Sequence, residues 1–332
     1  MVLVAINRLQ LRQFFPRGLP LTMGDATLIA RPTDVMTPTD WLGLLDEVRP
    51  TVLISGWSTP ELPHRFTKPA GGSVAYLCHL TGSVRGVISA ESIAAGFLVT
   101  NWGGVAAPMV AEHALLLALA ALRNLPAWPA FMRRTFVHDD KEVLGTRTLH
   151  QGRVAIHGFG AVARALLNLL APFQVQITAF SAGVPDEVLH SYRVTPARSL
   201  EELYRGTDVL ICCEALTSAT FASVDRRALG LLNHGAVFVN VGRGAVVDEE
   251  ALAQAAKDRG LRVALDVTVE EPPSPESSLW TIPNLILSPH IAGPTIDSYQ
   301  KCGSLALENV RDFFSGQPLS NRVDPISYAR ST

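Results

Sequence analysis

A glycine-rich turn between a predicted strand and a predicted helix is the feature that most constrains the fold of this chain. The β-type run at residues 153–157 ends at Gly158, and an apolar helical pattern follows at residues 162–170. Gly158, Gly160 and Ala163 give the pattern G-x-G-x-x-A. In a nucleotide-binding turn the first glycine allows the reversal, the second lets backbone approach a pyrophosphate, and the small third residue lets helix and strand pack closely.

This turn predicts a dinucleotide site, against the alternative of an ordinary strand–helix turn that binds nothing. The residues predicted to contact the dinucleotide here are Gly158, Phe159, Gly160, Ala161 and Val162. An acidic residue about 20 positions further on holds the ribose hydroxyls in NAD enzymes. This chain has Ser181 at that place, so NADP is also allowed, with Arg193 and Arg198 as candidates to bind its phosphate. Asp186 lies slightly too far along, unless its loop curls back. The predicted cofactor is therefore NAD or NADP.

From residue 153 onward, β-type runs alternate regularly with helical patterns. The predicted strands are residues 153–157, 176–180, 208–213, 236–241, 261–267 and 285–288. The predicted helices are residues 162–170, 200–205, 225–232 and 248–259, with a further helix at 298–314. Strands that alternate with helices predict a parallel sheet covered on both faces. The fold class is therefore α/β, with a Rossmann-type doubly wound parallel sheet.

The length of the chain and its first third indicate a second domain. A chain of 332 residues is too long for one ordinary core. Residues 1–98 have a shorter and more mixed pattern, with strands predicted at 52–55 and 74–78 and a third at 96–100. We place one domain at residues 1–98, completed by 296–332, and the other at 99–295. An apolar helix is predicted at residues 110–123.

Composition excludes several classes of protein. Apolar residues are 48% and charged residues 17%, which is typical of a globular chain. With a net charge of −2 and scattered arginines, the chain lacks the positive electrostatic potential that would attract nucleic acid or an anionic membrane. The apolar run at residues 114–122 is far shorter than the roughly 20 residues of a membrane span, and no signal peptide is evident.

The four cysteines give the remaining compositional expectation. They are Cys78, Cys212, Cys213 and Cys302, and they form neither a C-x-x-C pair nor any spacing typical of metal ligands. We therefore expect no metal, no disulfide scaffold and a cytoplasmic location.

Three polar side chains each follow a β-type run of the predicted sheet. Arg243, Glu271 and His290 come just after the runs at residues 236–241, 262–267 and 284–287. The carboxyl ends of parallel strands meet at one edge, where open α/β sheets bind ligands. Taken singly, these residues read equally well as a surface arginine, a loop charge and a structural histidine. Together, behind a nucleotide turn, they predict hydride transfer to a 2-oxo acid.

An ordered set of motifs between residues 96 and 325 resembles the D-isomer-specific 2-hydroxyacid dehydrogenase family. The motifs are V-A-E-H at 110–113, the Gly158 turn, N-V-G-R-G-A-V-V-D-E at 240–249, A-L-D-V at 264–267, E-P at 271–272, L-W at 279–280, P-N at 283–284 and S-P-H-I-A-G at 288–293. The resemblance implies that Arg243 holds the substrate carboxylate and polarises its carbonyl. It implies that His290 is the general acid and base and that Glu271 orients it. Further cofactor contacts are expected from Ser181, Cys213, Thr217, Val241, Gly242, Asp266 and Ala292.

The same resemblance assigns roles to the two domains. It implies a smaller flavodoxin-like α/β domain that binds substrate and a second domain that binds the dinucleotide. The expected substrate loop departs from the family pattern, although N–H groups of Gly82, Ser83 and Val84 still suit a carboxylate. Arg85 replaces an acid, as either a packing change or a new substrate contact. Which 2-hydroxy acid is used, and in which direction, stays open.

The leading hypothesis is an NAD(P)-dependent D-2-hydroxyacid dehydrogenase that acts on a small 2-hydroxy or 2-oxo acid. The alternative is a catalytically silent NAD(H)-sensing binding protein, similar to corepressors built on this scaffold. A third reading keeps the dehydrogenase chemistry with formate or phosphite as donor. The resemblance also implies a homodimer through the long helix, where Trp128, Phe131 and Phe136 follow an apolar stretch.

Overall fold

The computed structural model describes residues 1–133 and 138–330, and Phe136 lies outside this range. The chain divides into two compact units. The first unit comprises Met1–Ala106 and Pro294–Thr332, and the second comprises Ala107–Gly293. The first boundary lies after Ala106 rather than after residue 98, because the strand Leu98–Thr100 pairs with the first unit's sheet. The second boundary lies two residues before the predicted one.

Strands and helices alternate through both units. Within the described residues, the strands are β1 (Val2–Ala5), β2 (Thr22–Met23), β3 (Ala26–Ala30), β4 (Val52–Ser55), β5 (Tyr76–His79), β6 (Leu98–Thr100), β7 (Arg153–His157), β8 (Gln176–Phe180), β9 (Thr195–Pro196), β10 (Val209–Cys212), β11 (Val237–Asn240), β12 (Arg262–Leu265) and β13 (Ile286–Leu287). The α-helices are α1 (Arg8–Phe14), α2 (Pro38–Val48), α3 (Ala90–Ala94), α4 (Ala107–Leu122), α5 (Trp128–Met132), α6 (Ala161–Leu170), α7 (Asp186–Ser191), α8 (Leu200–Tyr204), α9 (Arg226–Leu229), α10 (Glu249–Arg259), α11 (Tyr299–Phe314) and α12 (Pro325–Arg330). Short 3₁₀ turns include Gly244–Val246 and Ser278–Thr281.

The first unit has a sheet in the order β2-β3-β1-β4-β5-β6. All neighbouring strands are parallel except β2 and β3, which pair antiparallel. Without β2 this is the flavodoxin-like order, so that prediction is confirmed. β1 and β4 are buried along their whole lengths, because helices cover both faces of a parallel sheet.

The second unit has a sheet in the order β13-β12-β11-β10-β7-β8-β9, with parallel pairing throughout. This is the Rossmann order with one added strand, as predicted. The order reverses between β7 and β10, and an open α/β sheet binds its ligands at the carboxyl ends of strands beside such a reversal. The Gly158 turn follows β7 at this place.

Helix α4 contributes to the core of the second unit. Eight of its residues are buried, and it packs against α6, β11 and β12. The described residues contain no single helix that is long and apolar enough to cross a membrane. The bent pair Ala107–Leu122 and Leu125–Met132 passes such a test jointly, on length and composition alone.

Candidate active site

The Gly158 turn has the geometry that a pyrophosphate needs. Gly158 has a φ of +95°, and a Cβ there would lie 2.7 Å from Glu214 Cα, so the position requires glycine twice over. Gly160 is the N-cap of α6, and no side chain of the described residues caps it. A Cβ on Gly160 would meet no described atom within 4 Å. Open space therefore adjoins helix N–H groups that suit an anion, which fits a bound dinucleotide.

Side chains that pack against the Gly158 turn hold its backbone in place. Phe159 is 2% exposed, and its ring lies 5.6 Å from that of Tyr192. Cys213 donates from its N–H to His157 O (2.8 Å) and from Sγ to Gly158 O (3.3 Å). Burial lowers the pKa of His157 to about 4, so its imidazole is neutral beneath the turn at pH 7. Phe159 and Cys213 can thus contribute to a dinucleotide site by holding its backbone in place.

Arg243, Glu271 and His290 follow the adjacent strands β11, β12 and β13, at one edge of the second unit's sheet. His290 Nδ1 lies 2.7 Å from Glu271 Oε2. The other carboxylate oxygen, Oε1, accepts from the N–H of Thr268 at 3.3 Å. The two side chains are 48% and 40% exposed, so a small molecule has access to the pair. The structure thus pairs the predicted base with its predicted partner.

Arg243 is held in a turn that Asn240 stabilises. The side chain of Asn240 accepts from Gly242 N (3.0 Å) and donates to Arg243 O (3.1 Å). Burial lowers the pKa of the Arg243 guanidinium, and the nearby negative charge of Glu271 partly offsets this. A guanidinium stays protonated in proteins nevertheless. The turn therefore presents a fixed, largely desolvated cation beside the histidine–carboxylate pair.

Asp266 anchors the loop that carries His290. Its carboxylate accepts from Ser288 Oγ (2.6 Å) and from the N–H groups of Ile291 (3.0 Å) and Ala292 (2.9 Å). Its backbone oxygen accepts from His290 N at 2.9 Å. Burial alone would raise the pKa of Asp266, but these hydrogen bonds and one from His113 lower it below its usual value. Asp266 is 2% exposed, so its contacts indicate that it positions the loop.

His113 is a part of this site that sequence reasoning missed. It lies on α4, with Nε2 2.8 Å from Ser288 Oγ and 3.4 Å from Asp266 Oδ1. It therefore ties the buried helix to the His290 loop. The V-A-E-H motif contained this histidine, but its partners are more than 150 positions away along the chain.

The remaining predicted cofactor residues lie near the turn or near the His290 loop. Ser181 follows β8, and its Oγ donates to Glu214 Oε2 at 3.2 Å. Thr217 donates its N–H to Thr220 Oγ1 (2.7 Å) and so orders the loop after β10. Val241 and Gly242 are buried between Asn240 and Arg243, and Ala292 is bound to Asp266. Glu214 was absent from our predictions, and the structure places it beside Ser181.

The predicted substrate residues Gly82, Ser83 and Val84 lie in the first unit, in the loop after β5. Gly82 O accepts from Asn101 Nδ2 at 2.6 Å, and a Cβ on Gly82 would lie 2.8 Å from Trp102 Nε1. Arg85 donates to Ala329 O (2.6 Å) and Tyr328 O (3.4 Å), and its guanidinium lies 5.7 Å from the centre of the Tyr328 ring. Of the two roles considered for Arg85, these contacts support packing against α12.

Comparisons with known proteins show which family this chain resembles. The family model of the D-isomer specific 2-hydroxyacid dehydrogenase NAD binding domain matches residues 115–292. A glyoxylate/hydroxypyruvate reductase of Arabidopsis thaliana is 31% identical over 69% of this chain and 69% of its own length. A D-3-phosphoglycerate dehydrogenase of Methanocaldococcus jannaschii is 30% identical over 69% of this chain, and the match spans 43% of that longer protein.

A solved structure with lower sequence identity shares the fold of this chain. The NAD-complexed D-isomer specific 2-hydroxyacid dehydrogenase of Lactobacillus delbrueckii ssp. bulgaricus superimposes with a TM-score of 0.75. The superposition covers 97% of this chain and 100% of that one, at 16% identity. At this identity the likeness supports the fold.

Proposed function

The chain belongs to the D-isomer-specific 2-hydroxyacid dehydrogenase family, and on that premise we propose that it interconverts a small 2-oxo acid and its D-2-hydroxy acid. Membership makes it an oxidoreductase with an NAD(P) cofactor. The observation that carries the proposal is the 2.7 Å contact between His290 Nδ1 and Glu271 Oε2, with Arg243 close by. In this arrangement His290 can exchange a proton with a substrate, Glu271 can orient the imidazole, and Arg243 provides a cation that can bind a carboxylate.

The pairing of Nδ1 with Glu271 determines which imidazole nitrogen handles the proton. Nδ1–H donates to the carboxylate, so Nε2 is left to face a substrate oxygen. In the reducing direction, His290 as an imidazolium donates its Nε2 proton to the C2 oxygen. In the oxidising direction, neutral Nε2 accepts that proton from the hydroxyl. Glu271 stabilises the imidazolium and fixes the ring orientation in both directions.

Arg243 is proposed to bind the substrate carboxylate and to polarise the adjacent carbonyl. Its guanidinium presents several N–H donors in a planar fork, which matches a carboxylate in geometry as well as charge. The bound nicotinamide supplies the hydride in reduction and accepts it in oxidation. Each reduction thus adds one hydride to C2 and one proton to its oxygen.

A substrate panel tests this function. We expect at least one of glyoxylate, hydroxypyruvate, pyruvate and 4-hydroxyphenylpyruvate to be reduced with saturation kinetics, because relatives include a glyoxylate/hydroxypyruvate reductase. The loss of absorbance at 340 nm with NADH and with NADPH measures the rate. Formate and phosphite with the oxidised cofactors test the remaining donors.

The same panel separates the enzyme from the sensor hypothesis. Tight dinucleotide binding without turnover of any acid would contradict the proposed enzyme and support the sensor. Turnover of formate or phosphite alone would replace the 2-oxo acid by that donor. The cytoplasmic location stays a prediction from the cysteine pattern, with all four thiols free in the structure.

We further propose that the chain is a homodimer through the segment of α4 and α5. Much of α4 is covered by its own unit, so less of this helix needs a partner than its sequence suggested. Leu116, Leu125, Trp128 and Met132 are nevertheless between 41% and 65% exposed. Burying such a group away from water favours association. Light scattering should give about twice the monomer mass of 35.8 kDa, and a monomer at micromolar concentration would refute this proposal.

A further inference from the structure

The edge of the second unit's sheet carries a carboxylate that the sequence pattern did not predict. Ser181 directly follows β8, at the place where an NAD enzyme has an acid for the adenosine ribose. Glu214 lies two residues beyond β10, on the other side of the Gly158 turn in the strand order. Its Oε2 accepts from Ser181 Oγ at 3.2 Å. The carboxylate therefore reaches the position that Ser181 leaves without one.

Two further contacts hold Glu214 in place. Its Oε1 accepts from the N–H of Ala215 at 2.9 Å. Its backbone lies so close to Gly158 that a Cβ on this glycine would come within 2.7 Å of Glu214 N and Cα. Glu214 is thus fixed against the nucleotide turn, and its side chain is partly exposed. A carboxylate held this way pays little additional ordering entropy when it accepts hydrogen bonds from a ligand.

We propose that Glu214 binds the adenosine ribose hydroxyls and makes this chain selective for NAD(H) over NADP(H). The inference rests on the proposed nicotinamide-dependent function and concerns only its cofactor. A carboxylate accepts from two hydroxyls but donates to nothing. The 2′-phosphate of NADP(H) is itself an acceptor with a charge near −2, so the carboxylate repels it. Glu214 therefore takes the role of the missing acid from a different strand.

A calorimetric titration of the protein with NADH, and another with NADPH, tests this inference. These measurements give the Kd of each cofactor and require no turnover. We expect the unaltered protein to bind NADH at least about tenfold more tightly than NADPH. In Glu214→Gln the Kd for NADH should rise about tenfold. The Kd for NADPH should fall, because the neutral amide no longer repels the 2′-phosphate, so the preference for NADH disappears. The matched control is Glu187→Gln, at an exposed position in the first turn of α7, which should change neither Kd.

A second variant shows whether a loss of NADH preference comes from the missing carboxylate or from a damaged structure. Adding Ser181→Asp to Glu214→Gln puts the acid back at the end of β8 and should restore most of the NADH preference. Thermal melting should show that all variants remain folded. If Glu214→Gln leaves both Kd values within twofold, or the unaltered protein binds NADPH as tightly as NADH, the inference fails and Glu214 only orders its own turn.

These outcomes are separable from those of the proposed function. A loss of NADH preference in Glu214→Gln supports the inference even if no 2-oxo acid is turned over. Turnover of a 2-oxo acid with an unchanged ratio of the two Kd values overturns the inference and leaves the proposed reaction intact.

Discussion

Replacement of His290 by Asn should lower kcat by about a thousandfold and leave the Kd for NADH within about twofold. The variant removes the group that exchanges a proton with the C2 oxygen, while the turn that binds the dinucleotide is untouched. His290 has a φ of +52°, in the left-handed region. Asn tolerates that backbone better than most residues, so the loop should keep its shape. Steady-state kinetics on the best acid from the panel, together with NADH titration, measure both quantities.

The matched control for this variant is His234→Asn. His234 is an exposed histidine of the same unit, in the turn before β11 and so at the opposite end of that strand from Arg243. The same substitution there should leave kcat unchanged. A kcat for His290→Asn within tenfold of the unaltered protein, at saturating substrate, would show that His290 is not the proton donor.

The second unit could be predicted well because its signals are local. Residues 153–157 and 176–180 were predicted as strands, and β7 and β8 have these same bounds. Each is a short apolar or β-branched run beside a glycine or a polar turn, so periodicity and its interruption are enough. The edge that carries Arg243, Glu271 and His290 then follows from parallel pairing alone.

The first unit was harder to predict, although some of its signals were legible. β1 is a fully buried inner strand of the sheet, but no strand was predicted at residues 2–5. Helix α2 begins with a capping box in which Thr37 and Asp40 satisfy each other's backbone N–H groups. The Thr37-x-x-Asp40 spacing is therefore a local sequence signal for the start of this helix. The four residues of β4 gave a clear strand because their apolar run lies between Thr51 on one side and Ser55 and Gly56 on the other.

Glu214 and His113 could not have been assigned from the sequence without a known fold. Glu214 and Ser181 are in contact although they are 33 positions apart in the sequence, and His113 and Ser288 are in contact although they are 175 positions apart. No local pattern encodes such distances, because they depend on which strands become neighbours. The same is true of the close contact between the Arg243 turn and the loop that carries Glu271, which glycine at position 244 permits.

Replacement of Gly244 by Ala should lower the free energy of unfolding of the second unit by roughly 4 kcal/mol. A Cβ at this buried position would lie 2.0 Å from the carbonyl carbon of Thr268 and 2.4 Å from Val269 N. Both are backbone atoms, so no side chain can rotate away and one segment must move. Thr268 N also donates to Glu271 Oε1, so the shift would separate Arg243 from the His290–Glu271 pair. Urea unfolding followed by circular dichroism measures the loss of stability.

The matched control for this variant is Gly43→Ala, in the exposed part of α2, where a Cβ would meet no described atom within 4 Å. Alanine is favoured over glycine inside a helix by roughly 0.5–1 kcal/mol, so this change should be neutral or slightly stabilising. If Gly244→Ala were equally harmless, the turn of Arg243 and the loop of Glu271 would not be in tight contact. A variant that folds but loses kcat/KM would instead show that the close approach serves catalysis more than stability. The expected result is loss of both, because the same backbone contact supports the unit's core and fixes the distance between its cation and its acid–base pair.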